Sequence, residues 1–228
     1  MIPVLGVPYI NRSDLFVRMI TSISHPIETI VVIDNAADDT VPRVDGAIYI
    51  KPHRNMGVSW AWNTIIKATP HAPWWAISNA DIKLGEHDLA NLEAGMASGL
   101  DLCLVESMAL FGISAECVQK VGWFDENYAP AYCEDNDYLY RAKLIGVRID
   151  WLIPEFEHFG SASIKSDPKL YAGNALSYPE NVKYYARKWG GVMHQEVYTT
   201  PFDQGGSPRD CPTLDFDRLR RLSWDRPA

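Results

Sequence analysis

WWAISNADI, residues 74–82, is the stretch that decides the fold of this chain. Its first five residues favour a fully buried strand, and the apolar run then ends abruptly in Ser78-Asn79-Ala80-Asp81. In an open α/β sheet, ligands bind beyond the carboxyl ends of the strands, so Asp81 is well placed to hold a metal ion and its phosphates. The alternative is that Asp81 only caps a turn, because Asn and Asp commonly end strands for local hydrogen-bonding reasons.

The segments before this strand alternate between buried strands and amphipathic helices. Residues 2–8, 29–33 and 47–51 are predicted strands, because they are apolar or β-branched almost throughout. Residues 13–23, with Ser13 as the helix cap, and 58–68 carry apolar side chains on one helical face. This order predicts an α/β fold with a mostly parallel central sheet and helices on both faces.

The second half of the chain is less regular. Further strands are predicted near residues 102–105, 109–113 and 147–153, and helices near 89–96, 115–121 (capped by Ser114) and 134–145. Residues 154–173 are predicted to form an ordered loop that contains His158, and Ser177 with Glu180 forms a capping box that starts a last helix. From residue 200 onward we expect a partly irregular tail with a short amphipathic piece at Phe216, Leu219 and Leu222.

Composition describes an ordinary globular protein. The 228 residues can build one sizeable core, and the formal charge of -8 implies no standing affinity for nucleic acid or acidic membranes. The four cysteines show no CxxC spacing, so we expect free thiols in a reducing compartment and a cytoplasmic location. No stretch approaches 18 uninterrupted apolar residues, so no membrane span is predicted.

Four polar clusters fall at predicted strand exits or helix starts: residues 34–39, 79–81 and 134–137, and His158. Asp81 and His158 could supply an oxygen and a nitrogen to Mn²⁺ or Mg²⁺, and a carboxylate near 135 could take a proton from a hydroxyl. Each cluster also has a structural interpretation. Acidic residues favour helix N-termini, and a lone histidine is often a hydrogen-bonded structural residue.

The order and spacing of these clusters resemble the family 2 glycosyltransferases, which have the GT-A fold. The resemblance covers roughly residues 2–190. Its marks are IVVIDNAADDT, NMGVSWAWN, AISNAD, GWFDENYAPAYCEDNDYLYRAKLIG, EHFGSAS and YYARKWGG. Each piece is weak alone, whereas their ordered succession is specific.

The resemblance implies a role for each cluster. Asp81 would be the metal ligand of a DxD-like motif, with His158 as a later metal-side residue. Asp135 would be the general base of an acceptor-side pair with Glu134. The implied nucleotide-sugar site comprises Pro8, Asn11, Asp34, Asp39, Asn55, Gly57, Asn79 and Ala80.

The chain departs from the family pattern at three places. Asn79 stands where the first DxD carboxylate is usual, which removes one negative charge and weakens the expected metal site or shifts its preference. Ala37 replaces a usual serine, and the tail after Gly191 matches nothing. We therefore expect a GT-A domain over residues 1–199 and a separate tail over residues 200–228 that serves an acceptor or a partner.

The resulting hypothesis is a metal-dependent, inverting transferase that moves a sugar from a nucleoside diphosphate, expected to be UDP, to a hydroxyl. The alternatives are a noncatalytic nucleotide-sugar or glycan-binding module and a nucleotidyltransferase. The latter should carry a Gly- and Arg/Lys-rich phosphate loop, which residues 4–14 lack. The acceptor hydroxyl could belong to a saccharide, a protein side chain, a lipid carrier or a modified nucleobase. The sequence leaves this choice open, and it leaves the oligomeric state open as well.

Overall fold

The structure is a computed structural model that describes residues 1–35 and 40–222. Its strands are β1 (Ile2–Tyr9), β2 (Ile27–Asp34), β3 (Ile48–Ile50), β4 (Trp74–Ser78), β5 (Ile82–Lys83), β6 (Leu102–Val105), β7 (Leu110–Ser114), β8 (Ile149–Leu152) and β9 (Glu157–His158). Its α-helices are α1 (Ser13–Thr21), α2 (Val58–Ala68), α3 (Asp88–Ala97), α4 (Ala115–Val121), α5 (Glu134–Ile145), α6 (Ala162–Lys165), α7 (Pro168–Trp189) and α8 (Phe216–Leu222), and Pro201–Asp203 forms a 3₁₀ turn.

The described strands form one seven-stranded sheet and a small two-stranded ribbon. The sheet order is β3-β2-β1-β4-β7-β6-β8, and β5 pairs with β9 in the ribbon. Within the sheet β7 runs antiparallel to both of its neighbours, whereas the other pairs are parallel. The predicted α/β fold with a mostly parallel central sheet is therefore confirmed.

Apolar side chains cover both faces of the sheet, as the buried strands required. One core contains Leu5 and Val7 of β1 packed with residues of α1 and α3. The other contains the inward faces of α2, α4 and α5. Gly6 of β1 lies beneath α2, where an added Cβ would come within 2.5 Å of the Ile65 side chain. The absence of a side chain at Gly6 thus lets α2 pack close to the sheet.

A third core joins α5 to α7 and contains buried charges. The Lys188 amine lies 2.7 Å from Asp125 Oδ2 and 2.6 Å from Asp137 Oδ1, and Arg141 Nε lies 2.9 Å from Asp137 Oδ2. The Trp189 indole also donates to Asp137. Burial alone would raise the pKa of the Asp137 carboxyl, but Lys188 and Arg141 outweigh it and hold that pKa below its ordinary value.

The last long helix begins earlier than the sequence predicted. Asp167 caps α7 by accepting hydrogen bonds from two amides of its first turn, and Pro168 follows at a position that needs no amide donor. The predicted loop over 154–173 is therefore wrong, as is the capping box at Ser177, because Ser177 and Pro179 lie inside the helix. Ser177 is fully buried, so packing of the inner face carries the helix through this region.

The other two predicted serine caps have different outcomes. Ser114 caps α4 by accepting a hydrogen bond from the Cys117 amide, as predicted. The cap predicted at Ser13 is wrong, because the cap position of α1 is Arg12 and no side chain caps the helix there. The Arg12 guanidinium instead donates two hydrogen bonds to Asp14, and these hold the loop at the helix start.

The described part of the C-terminal tail packs on the domain. Asn127 accepts a hydrogen bond from the Asp215 amide at 2.7 Å, and Arg218 donates to the Asn181 side chain. The predicted amphipathic piece is the helix α8, but among its described side chains Arg218 is buried and Phe216 is 59% exposed, while the Leu222 side chain lies outside the described part. The boundary at residue 199 and a separate role for the tail stay predictions. All four cysteines are free thiols, and no helix in the described ranges combines the length and apolar character that crossing a membrane requires.

Replacing Lys188 with Met should destabilise the fold by about 3–5 kcal/mol, because it leaves buried carboxylates without their cation. The matched control is Lys183→Met, which removes a pair with Glu180 on the exposed side of the same helix and should cost less than about 1 kcal/mol. Urea denaturation of both variants gives the two free energies of unfolding. Equal losses would show that the buried pairs contribute no more than the exposed one.

Candidate active site

A cavity of about 310 Å³ opens where β1, β2 and β4 end. Residues from all three strand exits line it, together with the turn between β6 and β7 and the start of α5. This is the position at which ligands bind in open α/β sheets, and the volume suits a small-molecule site. Eight residues predicted from the sequence line the cavity: Pro8, Asn55, Asn79, Ala80, Asp81, Glu134, Asp135 and His158.

The β5–β9 ribbon brings Asp81 and His158 together, although 76 residues separate them in the chain. Ile82 is the register partner of His158, and the Phe159 amide donates to the Asp81 carbonyl at 2.9 Å. His158 Nε2 consequently lies 3.6 Å from Asp81 Oδ1. The other Asp81 oxygen accepts a hydrogen bond from the Ala162 amide at 3.1 Å. The neighbouring Asp81 carboxylate raises the pKa of His158 above its ordinary value.

The turn between β6 and β7 adds two polar side chains that the sequence analysis did not include. Glu106 Oε2 lies 3.4 Å from His158 Nδ1, so the imidazole stands between two carboxylates. Ser107 donates a long hydrogen bond of 3.5 Å to Asp135 Oδ2. The sequence feature that could have predicted them is their position: Glu106 and Ser107 directly follow the buried strand LCLV, as Asn79 and Asp81 follow WWAIS.

The start of α5 presents the two acidic residues of the predicted pair in different environments. Asp135 is half-buried, and its Oδ1 accepts hydrogen bonds of 2.8 Å from the backbone and side-chain amides of Asn136. Its orientation is thereby fixed with Oδ2 towards Ser107. Glu134 is buried, and its Oε2 has no hydrogen-bond partner. Burial, followed by the charge of Asp135, raises the pKa of Glu134 well above its ordinary value.

The rim of the cavity contains a cluster of strained backbone. Glu106, Ser107, Tyr132 and Ser161 line the cavity and have positive φ angles of 48°, 58°, 77° and 58°. Such conformations are costly for residues other than glycine and concentrate at functional sites. The Tyr132 hydroxyl and Ser161 Oγ lie 3.0 Å apart, so a hydrogen bond joins two of these strained segments across the rim.

The charge of the cavity is strongly one-sided. Its lining contains the carboxylates of Asp81, Glu106 and Asp135, together with the buried Glu134 carboxyl, whose raised pKa favours the neutral form. Among the described residues that line it, none is Lys or Arg, and His158 is the one side chain that can carry a positive charge. An anionic ligand therefore requires a cation from outside this set of side chains.

Three described residues predicted for the nucleotide-sugar site, Asn11, Asp34 and Gly57, are not among the cavity lining. Asp34 lies at the end of β2 and binds Lys51 at 2.7 Å, while Asn11 donates to the Ser163 carbonyl. Gly57 has a φ of 88°, and an added Cβ would come within 2.9 Å of the Pro130 carbonyl, so the close backbone approach there is to Pro130. Asp39 lies outside the described residues, as does Ala37.

Asn35, which belongs to the predicted cluster 34–39 but was not predicted as a site residue, lines the cavity instead. Its side chain accepts a hydrogen bond from the Met56 amide and donates one to the Gly57 carbonyl. These bonds tie the exit of β2 to the loop before α2. The sequence contained an indication of this role. Asp34 and Asn35 are consecutive, and consecutive residues of a strand point to opposite sides, so one of the two was expected to face the cavity.

The fold is that of the GT-A glycosyltransferases. S. aureus TarS 1–349 in complex with UDP superposes with a TM-score of 0.56 at 15% identity, covering 67% of this chain and 58% of that one. The same protein in complex with UDP-GlcNAc gives a TM-score of 0.53 at 15% identity, over 67% and 56% of the two chains. GalNAc-T7 with UDP, GalNAc and Mn²⁺ gives 0.60 at 10% identity, over 82% and 50%. These low identities establish the fold alone.

A sequence relative supports the resemblance to glycosyltransferases. A galactofuranosyl glycosyltransferase of Leishmania donovani is 32% identical over 139 residues, which cover 52% of this chain and 32% of the relative. The chain thus spans about a third of the length of this curated relative. No family model matches the chain. The predicted GT-A fold and the resemblance to glycosyltransferases are confirmed.

Replacing Glu134 with Gln should raise the free energy of unfolding at pH 7. Because the folded-state pKa of Glu134 is raised, the folded protein binds this proton more tightly than the unfolded chain does. Stability is therefore lost as pH rises from about 4.5, the ordinary value, through the folded pKa, and the neutral amide removes this loss.

Denaturant titrations between pH 5 and 8 measure the effect. Glu116→Gln, at an exposed pair with Lys120, is the control and should change the stability by no more than about 0.5 kcal/mol. A Glu134→Gln protein that is less stable than the parent at pH 7 would contradict the raised pKa.

Proposed function

We propose that the chain transfers a sugar from a UDP-sugar to an acceptor hydroxyl, with inversion at the anomeric carbon and with the aid of a divalent cation. One observation carries the proposal: a single cavity at the strand exits contains both the Asp81 and His158 pair and, at the start of α5, the Asp135 carboxylate. The structural neighbours that bind UDP, UDP-GlcNAc, or UDP with Mn²⁺ support the choice of donor and cation.

The negative charge of the cavity supports metal dependence. A diphosphate is repelled by the carboxylates of Asp81, Glu106 and Asp135, and the described lining offers it no Lys or Arg. Asp81 Oδ1 and His158 Nε2 are oxygen and nitrogen donors 3.6 Å apart, a pair that suits Mn²⁺. No group of three or more His, Cys, Asp or Glu in the described residues has the arrangement of a metal site. The diphosphate and water would complete the shell, and a bound cation would stabilise the charge on the leaving diphosphate.

Asp135 is the proposed general base. Hydrogen bonds from Asn136 hold its Oδ1, which leaves Oδ2, near Ser107, to accept the proton of the acceptor hydroxyl. The acceptor oxygen forms the new bond to the anomeric carbon while the bond to the diphosphate oxygen breaks. The proton goes to Asp135 and the bonding electrons leave with UDP. A single displacement from the opposite side of the ring inverts the anomeric carbon.

Replacing Asp135 with Asn should lower the rate of transfer by about 10²–10⁴-fold, because the amide cannot accept the proton. The affinity for UDP should stay within about twofold, since this variant keeps the shape of the side chain. Asp150→Asn on the exposed part of β8 is the control and should transfer at the parent rate. Release of UDP in the presence of acceptors gives the rate, and calorimetry gives the affinity. Unchanged turnover of the Asp135→Asn protein would remove this residue as the base and favour a binding module.

Mn²⁺ should increase the affinity for UDP, and Asp81→Asn should abolish that increase because it removes the anionic ligand. Asn79→Asp should have the opposite effect and tighten Mn²⁺ binding, since it restores a carboxylate at the strand exit. Calorimetric titration of UDP with and without Mn²⁺ measures both changes. If UDP binds equally well without the metal in all three proteins, the metal assignment is wrong.

A further inference from the structure

Trp62 and Glu134, two of the described residues that line the cavity, each contain a buried polar atom without a hydrogen-bond partner. One is the indole Nε1 of Trp62 on α2, and the other is Oε2 of Glu134 at the start of α5. Trp62 is only 3% exposed and Glu134 only 6%. A buried donor or acceptor without a partner is destabilising, so such atoms in a cavity wall indicate that a ligand supplies the missing partner.

Packing leaves neither side chain free to find a partner within the protein. The Trp62 ring makes edge contacts with Phe111 and Phe124 at centroid distances of 5.1 and 4.9 Å. Glu134 begins α5, and the buried ion pairs of Asp137 fix that helix three residues later. Two residues of the cavity lining therefore each carry a polar group that pairs with no other group in the described part of the protein.

The two unpaired groups select for hydroxyl groups. A sugar hydroxyl both donates and accepts, so neighbouring hydroxyls of one ring can pair with an N–H and with a carboxyl oxygen. A carboxylate on the ligand would instead meet the four acidic side chains of the lining, and the described lining has no Lys or Arg to balance it.

We propose that Trp62 and Glu134 are specificity-determining residues that bind hydroxyls of the transferred sugar, and that this sugar is neutral and not a uronic acid. The inference rests on the proposed function, because it assumes a nucleotide-sugar in this cavity. It adds the chemical class of the sugar and two residues that recognise it.

Trp62→Phe is the central variant, because it removes the N–H and keeps an aromatic ring against Phe111 and Phe124. Glu134→Ala removes the carboxyl group. The matched control is Ser59→Ala on the same helix: the Ser59 hydroxyl is also buried without a partner, but Ser59 does not line the cavity. A purely structural effect of unpaired groups would appear in all three variants.

The experiment is calorimetric titration of the parent and the variants with UDP, UDP-glucose, UDP-galactose and UDP-glucuronate in the presence of Mn²⁺. In the parent, the better-bound neutral donor should exceed UDP-glucuronate by at least about tenfold in affinity. Trp62→Phe and Glu134→Ala should each weaken that neutral donor by about tenfold while UDP affinity changes by less than about twofold. Ser59→Ala should bind both as the parent does.

Two results would overturn the inference and leave the proposed function intact: UDP-glucuronate binding as tightly as the neutral donors, or Trp62→Phe and Glu134→Ala changing UDP and UDP-sugar affinities by the same factor. Failure of the parent protein to bind UDP with Mn²⁺ is distinguishable from both, because it would overturn the proposed function together with this inference.

Discussion

The placement of the α5 start depends on one buried cation, the Lys188 amine between Asp125 and Asp137. With Arg141 these side chains form a fully buried set of two positive and two negative charges, so the desolvation of each is offset by an opposite charge nearby. The set joins α7 to α5 and to the loop before it. Because α5 begins with Glu134 and Asp135, the position of both acidic residues in the cavity follows from this charge pairing.

Helix α7 also supports the rim of the cavity. Asn181, two turns before Lys188 on α7, donates to the carbonyls of Ala131 and Tyr132, which belong to the strained loop at the cavity. Arg218 of the tail in turn donates to the Asn181 side chain. A continuous series of polar contacts therefore runs from the described tail to the cavity rim. The tail contributes to the site by fixing this loop, whatever further role it has.

The sequence predicted the parts of the fold that local patterns determine. The apolar runs at residues 2–8 and 74–78 are strands, and their exits meet at the cavity as parallel strands must. The proximity of Asp81 and His158 was a hypothesis drawn from their ligand chemistry and from the family resemblance, because the two-stranded ribbon that creates it is too short to have a pattern. Glu106, Ser107 and Tyr132 lie in turns with positive φ, which no periodicity indicates. The burial of Lys188 was equally impossible to predict from the sequence, since a lysine in a helix normally indicates an exposed position.

The cavity contains several features that lower the stability of the protein when no ligand is bound. It contains strained backbone, the three carboxylates of Asp81, Glu106 and Asp135, and unpaired polar atoms in Trp62 and Glu134, all of which are unfavourable without a ligand. A cation and a neutral sugar bearing hydroxyls would relieve the charge and pair the unpaired atoms. The features that weaken the fold are thus the ones that the proposed donor complements, while the buried charges of α5 and α7 hold the site in shape.

The most direct test of the central claim is an anomalous difference map from crystals grown with UDP and Mn²⁺. The map should contain a manganese peak in contact with Asp81 and His158, with the diphosphate on its other side and the uridine towards Pro8. A map with UDP bound elsewhere, or with manganese held by other residues while Asp81 and His158 stay paired with each other, would contradict it.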